Sequence, residues 1–418
     1  MTLPKLALIP SGYKGGINPT VYSILPNNGD GDFTFSRSGT ATRVNENGLI
    51  ETVDSNVPRL DYSDSNCPSL LLEPQRTNLI LFSDAFTGTN WFSTNTTSTP
   101  NNIISPSGEL NGNKLQRTST SASYRTHTIG KAASAITYTT SAFIKKGSDN
   151  YFAMRAQGSY PQRVDVRFRF DTEEIYYINA VSPFVVLDYG VEKHSNGWYR
   201  IHFTYTTDTH TSLSNAFSPR ATDGNIDGSD TSNSSYAYVW GAQIEQGSYP
   251  TSYIPTTGSA VTRLKDECIN GGNSSIFSNT TGTVFVDFEA FTPINNFGRL
   301  LSLSDQTSNN TLILIPFITN QFRFSIRTND GSIDVDTYQS VLYNTRQKIA
   351  ISYELNSVKI YINGTLVFTD TSVGTFSNLT KISFADVDNN PTATAKIYEL
   401  IYFDSVISQT EAETLTTL

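Results

Sequence analysis

Side chains able to do acid–base chemistry are few in this sequence and widely spaced. Asp287 and Glu289 lie two residues apart in 283–291, where Val284, Val286, Phe288 and Ala290 alternate with them. Period-two alternation puts both carboxylates on one face of a strand and the apolar side chains on the other. Glycoside cleavage uses a carboxyl pair about 5–5.5 Å apart for retention and about 6.5–9.5 Å apart for inversion. An outward pair of this kind could cleave a glycosidic bond or simply hydrogen-bond a saccharide. The other acidic cluster, Asp171-Thr172-Glu173-Glu174 beside Tyr176 and Tyr177, follows a strand and reads as a solvated turn. His127, His194, His202 and His210 are scattered, with no Ser or Cys near them in a nucleophile-elbow setting. No catalytic residue is assigned, and the chain is expected not to be an enzyme.

Binding chemistry has more material. A saccharide needs an aromatic face for its C–H groups, with amides and carboxylates nearby for its hydroxyls. Tyr160, Tyr176, Tyr177 and Tyr189 sit in or near loops and, with Asp287 and Glu289, form the candidate glycan-binding set. The stretch Asp223-Gly224-Asn225-Ile226-Asp227-Gly228-Ser229-Asp230 offers oxygens at alternating positions, as a calcium loop does, but has Ser234 where the twelfth-position Glu would stand. Asp223, Asn225 and Asp227 are therefore candidate ligands for structural calcium, with an ordinary inter-strand turn as the alternative.

The elements that must carry these residues are strands. The chain has 418 residues, of which 12% are aromatic and only 16% charged, against about 25% charged in average soluble domains. Ser, Thr and Asn make up about a third of it. Aromatic and β-branched residues favour the pleat. Alternation recurs at 135–144, 163–170, 198–205 and 236–244, then at 283–291, 312–315, 321–326, 347–353, 358–362 and 396–403. In 163–170 Val164, Val166, Phe168 and Phe170 share one face, and Arg163, Asp165, Arg167 and Arg169 share the other. Asn363-Gly364 fits a type I′ hairpin turn, and Ser408 with Glu411 forms a capping box that opens one short helix.

The expected class is all-β: an extended N-terminal arm followed by two antiparallel β-sandwiches, the first a jelly roll. The arm covers 1–66, where turn signals are dense and too few apolar residues are present for a separate core. The jelly roll covers 67–265, a linker 266–278, and the second sandwich 279–418. The net charge of −9 with no basic run excludes the usual nucleic-acid footprint. No apolar stretch reaches the ~20 residues of a membrane span, and the N-terminus has no long apolar signal region, so ordinary secretion is not expected. Cys67 and Cys268, about 200 positions apart, are too few for a disulfide framework or a zinc site and are expected to be reduced.

Three cassettes carry a resemblance. The first runs from Ser23-Ile24-Leu25-Pro26 through Gly29-Asp30-Gly31-Asp32-Phe33-Thr34-Phe35-Ser36-Arg37 to Pro58-Arg59-Leu60-Asp61-Tyr62. The second is Leu70-Leu71-Leu72-Glu73-Pro74-Gln75-Arg76-Thr77-Asn78-Leu79. The third joins Gly197-Trp198-Tyr199-Arg200 to Trp240-Gly241-Ala242-Gln243-Ile244-Glu245-Gln246-Gly247 and closes on Thr251-Ser252-Tyr253-Ile254-Pro255-Thr256 and Thr262-Arg263. In this order, over about 20–265, they resemble a module of tailed-phage and prophage virion proteins: head fibres, tail fibres and spikes. The resemblance implies a carbohydrate-binding-module-like jelly roll. The last third is similar to concanavalin-A-like or laminin-G-like sandwiches, some of which hold calcium near the position of Asp386 and Asp388.

A virion surface protein made in the host bacterial cytoplasm is therefore expected, with no membrane insertion and structural calcium as its one conceivable cofactor. Its partners would be its own chain in a homo-oligomer (a trimer first), capsid or tail proteins docked through the arm, and host surface polysaccharide. The alternatives are a polysaccharide depolymerase or glucanase on the virion, and a purely structural capsid or tail decoration protein. Trp198 and Trp240 are read as core. Arg43, Arg59, Arg76 and Arg200 are read as structural, with Glu73 and Glu245 as natural partners, because a guanidinium beside apolar runs satisfies carbonyls or a carboxylate.

Overall fold

The computed structural model describes residues 2–10, 31–88, 90–291, 298–317, 320–328, 331–385 and 393–418. Strands dominate, every strand pairing in the sheets described below is antiparallel, and the fold is all-β. The chain divides into two compact units, one drawn from 1–46, 53–75 and 264–418, the other from 47–52 and 76–263.

In the second unit two six-stranded sheets face each other across one core. The first sheet has the order Val185–His194, Trp198–Thr206, Thr137–Lys145, Tyr236–Gln246, Gly112–Arg117 and Thr96–Ile103. The other has the order Glu174–Val181, Arg163–Arg169, Tyr151–Gln157, Ser212–Arg220, Tyr124–Gly130 and Trp91–Thr94. The alternation foreseen at 163–170 holds: Val164, Val166, Phe168 and Phe170 join the core with Phe152, Phe203 and Phe217. Trp198 and Trp240 are buried as expected, and the Trp198 indole N–H donates to the Ile104 carbonyl.

In the first unit an eight-stranded sheet, with Thr281–Ala290 and Ala395–Phe403 at its centre, packs on a five-stranded sheet, with Gln321–Thr328 and Thr311–Pro316 beside one another. Of the segment read as an arm, the described residues 2–10, 31–46 and 53–66 belong to the unit of this sandwich, and 47–52 belong to the other. Leu6–Leu8 pairs with Leu400–Tyr402, Arg59–Asp61 pairs with Ser69–Leu72, and Ser69–Leu72 pairs in turn with 395–397. Leu6, Leu8, Phe33, Phe35, Leu70 and Leu72 are all buried in its core. Asn363 and Gly364 both take positive φ (48° and 82°) in the turn between Ser357–Ile362 and Thr365–Asp370. The helix Gln409–Thr416 begins on the capping box of Ser408 and Glu411.

The stretch 266–278, expected as a linker, is built into this unit instead. Glu267–Ile269 pairs with Thr34–Ser36, and Cys268, Ile276 and Phe277 join the core. The physical reason is charge. Asp266, fully buried, accepts from the guanidinium groups of both Arg37 (3.0 Å) and Arg59, and Arg59 also pairs with Glu73. Two buried arginines need two buried carboxylates, and one of those lies in this stretch. Cys67 is exposed and Cys268 buried, and both are free thiols.

Candidate functional site

The outer face of the sheet containing Arg163–Arg169 gathers most of the residues singled out from the sequence. Arg163, Asp165, Arg167 and Arg169 point away from the core, as period two requires. Tyr151 and Arg155 join them from Tyr151–Gln157, and Tyr177 lies opposite Arg167. A register shift beside Arg167 lets Tyr176 reach this face too, where its hydroxyl donates to Asp223 (2.5 Å).

The loop read as a calcium site lies across this face. Ile226 is buried against Ala153, Ala216 and Tyr124 and anchors it there. Its carboxylates meet arginines: Asp223 with Arg167 at 2.8 Å and Asp227 with Arg155 at 3.0 Å. Asn225 Oδ1 also accepts from Arg167, at 2.8 Å. The Arg220 guanidinium donates to the carbonyls of Asn225 (2.7 Å), Ser229 (2.7 Å), Thr222 and Gly228. Guanidinium groups thus take the oxygens that a divalent cation would use. Among the described residues no group of three or more His, Cys, Asp or Glu is placed to hold a metal. Asp386 and Asp388 lie outside the described residues.

The electrostatics follow from these pairs. Burial would raise the Asp227 and Asp223 carboxyls, but hydrogen bonds from Arg155 to Asp227, and from Tyr176 and Arg167 to Asp223, hold both below the ordinary carboxylate range. Burial opposes the charge of Arg155, yet its bonds to Asp227 and Asp165 raise it overall. Burial, and then the bond to Asp223, pushes the Tyr176 hydroxyl well up. Asp165 joins the arginines, accepting from Arg155 Nε at 2.7 Å and Arg163 Nε at 2.8 Å.

Tyr160 stands at one end of this network with 67% of its surface exposed. The Arg163 guanidinium lies 5.4 Å from its ring centroid. A tight loop presents it: Gly158 N–H donates to the Gln162 carbonyl, and Asp208 accepts from Ser159 N–H at 3.0 Å. A Cβ at position 158 would meet the Asp208 carboxylate at 2.2 Å, so the loop needs glycine for this approach. Further along the face Arg167 lies 4.0 Å from the Tyr177 centroid, and Arg169 lies near Tyr151 and Tyr176 at 5.9 and 5.8 Å.

The remaining candidates do not converge here. Tyr189 is 48% exposed but lies on Val185–His194, an edge strand of the opposite sheet. Asp287 and Glu289 do share the outer face of Thr281–Ala290, in the other unit. Asp287 is buried and gripped by Arg346 through two bonds of 2.8 and 2.7 Å. Glu289 accepts from the Tyr398 hydroxyl (3.3 Å), which also bonds Asp64 at 2.7 Å, and Lys396 holds Asp64 at 2.8 Å. Alongside, the helix Gln409–Thr416 packs Ala412 onto Phe285, Ala350 and Tyr361 of the same sheet face.

Of the histidines, His127 is buried and lowered by that burial to about 4, while His194 and His202 stand around Glu192. Arg59 takes Glu73 as expected, but Arg200 bonds the Thr251 carbonyl and Ser141, and Glu245 accepts from Thr251 and Gln243. Sequence reasoning left Arg155, Arg163, Asp165, Arg167 and Arg169 off the candidate set. For the four on 163–169 the signal was the charged half of that alternation; Arg155 lies on Tyr151–Gln157, outside it.

No family model and no curated protein sequence matches the chain. Solved structures similar to part of it include the CBM40 of a Ruminococcus gnavus IT-sialidase bound to α2,3-sialyllactose. It has 16% identity and a TM-score of 0.31, and the match covers 35% of this chain and 86% of that one. Domain 4 of AbnA, a GH43 extracellular arabinanase from Geobacillus stearothermophilus in complex with arabinotriose, has 15% identity and a TM-score of 0.31, covering 41% of this chain and 83% of that one. The binding domain of botulinum neurotoxin DC in complex with rat synaptotagmin II has 17% identity and a TM-score of 0.31, covering 36% and 39%.

Proposed function

We propose that this chain is a non-catalytic glycan-binding protein of a virion surface, a fibre or adhesin made in the host bacterial cytoplasm. The observation that carries the binding part is the Tyr160 ring, two-thirds exposed on a fixed loop and continuous with paired Arg155, Arg163, Asp165 and Asp227. The ring offers an apolar plane to sugar C–H groups, and the paired charges that reach the surface, Arg163 and Asp227, offer a donor and an acceptor to hydroxyls. The virion part rests on the three cassettes of 20–265. Assembly as a homo-oligomer would multiply weak single-site affinity through avidity, and attachment to capsid or tail proteins completes the reading. No metal is required, since arginines already bind the loop oxygens at 222–229.

A glycan array probed with the purified protein tests the reading. Binding to bacterial surface polysaccharide that Tyr160→Ala abolishes is the expected result. A blank array sinks the adhesin and leaves a decoration protein. The depolymerase alternative has one observation in its favour: burial and the charge of Asp64, against the pull of Lys396, raise the Glu289 carboxyl, as suits a general acid. New reducing ends from a host polysaccharide, lost in Glu289→Gln, would establish that alternative.

A further inference from the structure

We infer that the saccharide taken by the Tyr160 face is uncharged, a neutral polyhydroxyl polymer. This inference rests on the glycan-binding reading and narrows its ligand class. The four arginines along 155–169 each have a carboxylate already in place: Arg155 with Asp165 and Asp227, Arg163 with Asp165, Arg167 with Asp223, and Arg169 with Asp171. These contacts span 2.7 to 3.0 Å. An anionic sugar would have to draw a guanidinium from its partner, and for Arg155 or Arg163 that would leave Asp165, whose side chain is 3% exposed, with one arginine instead of two. Removing one member of a buried pair is strongly unfavourable. A neutral hydroxyl meets no such conflict, because it donates to a carboxylate and accepts from a guanidinium at once, so it can insert beside a pair without breaking it.

The charge of the whole unit agrees. Residues 47–52 and 76–263 contain 15 Lys and Arg against 15 Asp and Glu, while the other unit has the remaining 14 and 23 and so the entire net charge of −9. A balanced unit in an acidic chain supplies no field to gather a polyanion, and long-range steering of that kind requires an excess of one sign.

The test measures binding of the full chain to neutral polymers (linear glucan, mannan, galactan and arabinan) and to acidic ones (polysialic acid, hyaluronan and polygalacturonate), each at low and high salt. The expected result is binding to at least one neutral polymer, changing less than about twofold with salt and falling at least about tenfold in Tyr160→Ala; screening acts on charged contacts. Asp227→Asn, which leaves Arg155 with one carboxylate instead of two, should add measurable salt-sensitive binding to acidic polymers. Wild-type binding confined to acidic polymers and lost at high salt overturns the neutral assignment while leaving the glycan reading intact. Binding to none of the panel overturns both.

Discussion

Two outward sheet faces in this chain were built from the same sequence pattern and ended with different surfaces. On Arg163–Arg169 the charged residues are paired along the strand and with the loop that crosses it, while an exposed Tyr160 and half-buried Tyr176 and Tyr177 remain at the surface. On Thr281–Ala290 the pair Asp287 and Glu289 is turned inward into structure: Arg346 clamps Asp287, Tyr398 and Asp64 engage Glu289, and a helix covers Phe285 beside them. Alternation decides which residues leave the core. What then crosses that face decides whether they meet solvent. A loop pinned by Ile226 leaves aromatic rings at the surface, whereas a helix seals its face with apolar contacts.

The comparison can be tested, beginning with the largest effect. Asp266→Ala takes a buried carboxylate from Arg37 and Arg59 and leaves Glu73 beside Arg59, and should cost about 3–5 kcal/mol. Calorimetry should show the loss in the transition of the unit containing 264–418, with the balanced unit keeping its own. A single shared shift of all transitions would show that the two units do not melt independently. Tyr160→Ala should reduce saccharide binding about tenfold, or about 1.4 kcal/mol, and change stability by less than about 0.5 kcal/mol. Ser408→Ala removes the capping box over the sealed face and should cost about 1 kcal/mol, read from denaturant midpoints with saccharide binding unchanged.

Acid should separate the two faces by sign. Asp223 and Asp227 have folded carboxyls held below their ordinary value of 3.8, so their contribution is complete above that value and is lost as pH falls through the folded range. Glu289 and Glu399 have carboxyls raised by burial above 4.5. Their protonated form favours the folded state, and that advantage is lost as pH rises through the folded value. Hydrogen exchange should show the amides of 222–229 loosening below about pH 4, while those of 396–399 keep their protection. Equal loosening of both would erase the proposed contrast.

Much of this was legible in the residues themselves. Val164, Val166, Phe168 and Phe170 declared a buried face, Asn363-Gly364 declared a hairpin, and Ser408 with Glu411 declared a helix start. Each rests on a local rule of period, positive φ or capping, and such rules act within a few residues of sequence. The glycan candidates Tyr160, Tyr176 and Tyr177 came from the same local reading, since loops and strand ends carry exposed rings.

The rest required distant segments to meet. Nothing local tells that Asp266 must neutralise Arg37 and Arg59, because a buried charge is satisfied by whatever the fold brings within hydrogen-bond reach. The oxygens of 222–229 look like cation ligands in sequence; Arg220, just before them, takes their carbonyls, and the side chains of Asp223, Asn225 and Asp227 become arginine partners only when Arg155 and Arg167 arrive from two other strands. By itself the sequence determined strands, turns and which side chains leave the core, for those follow from backbone geometry. Tertiary structure alone decided the pairs that cross the chain, such as Arg59 with Asp266 and Arg155 with Asp227, because pairing energies depend on distance and burial between segments far apart in sequence.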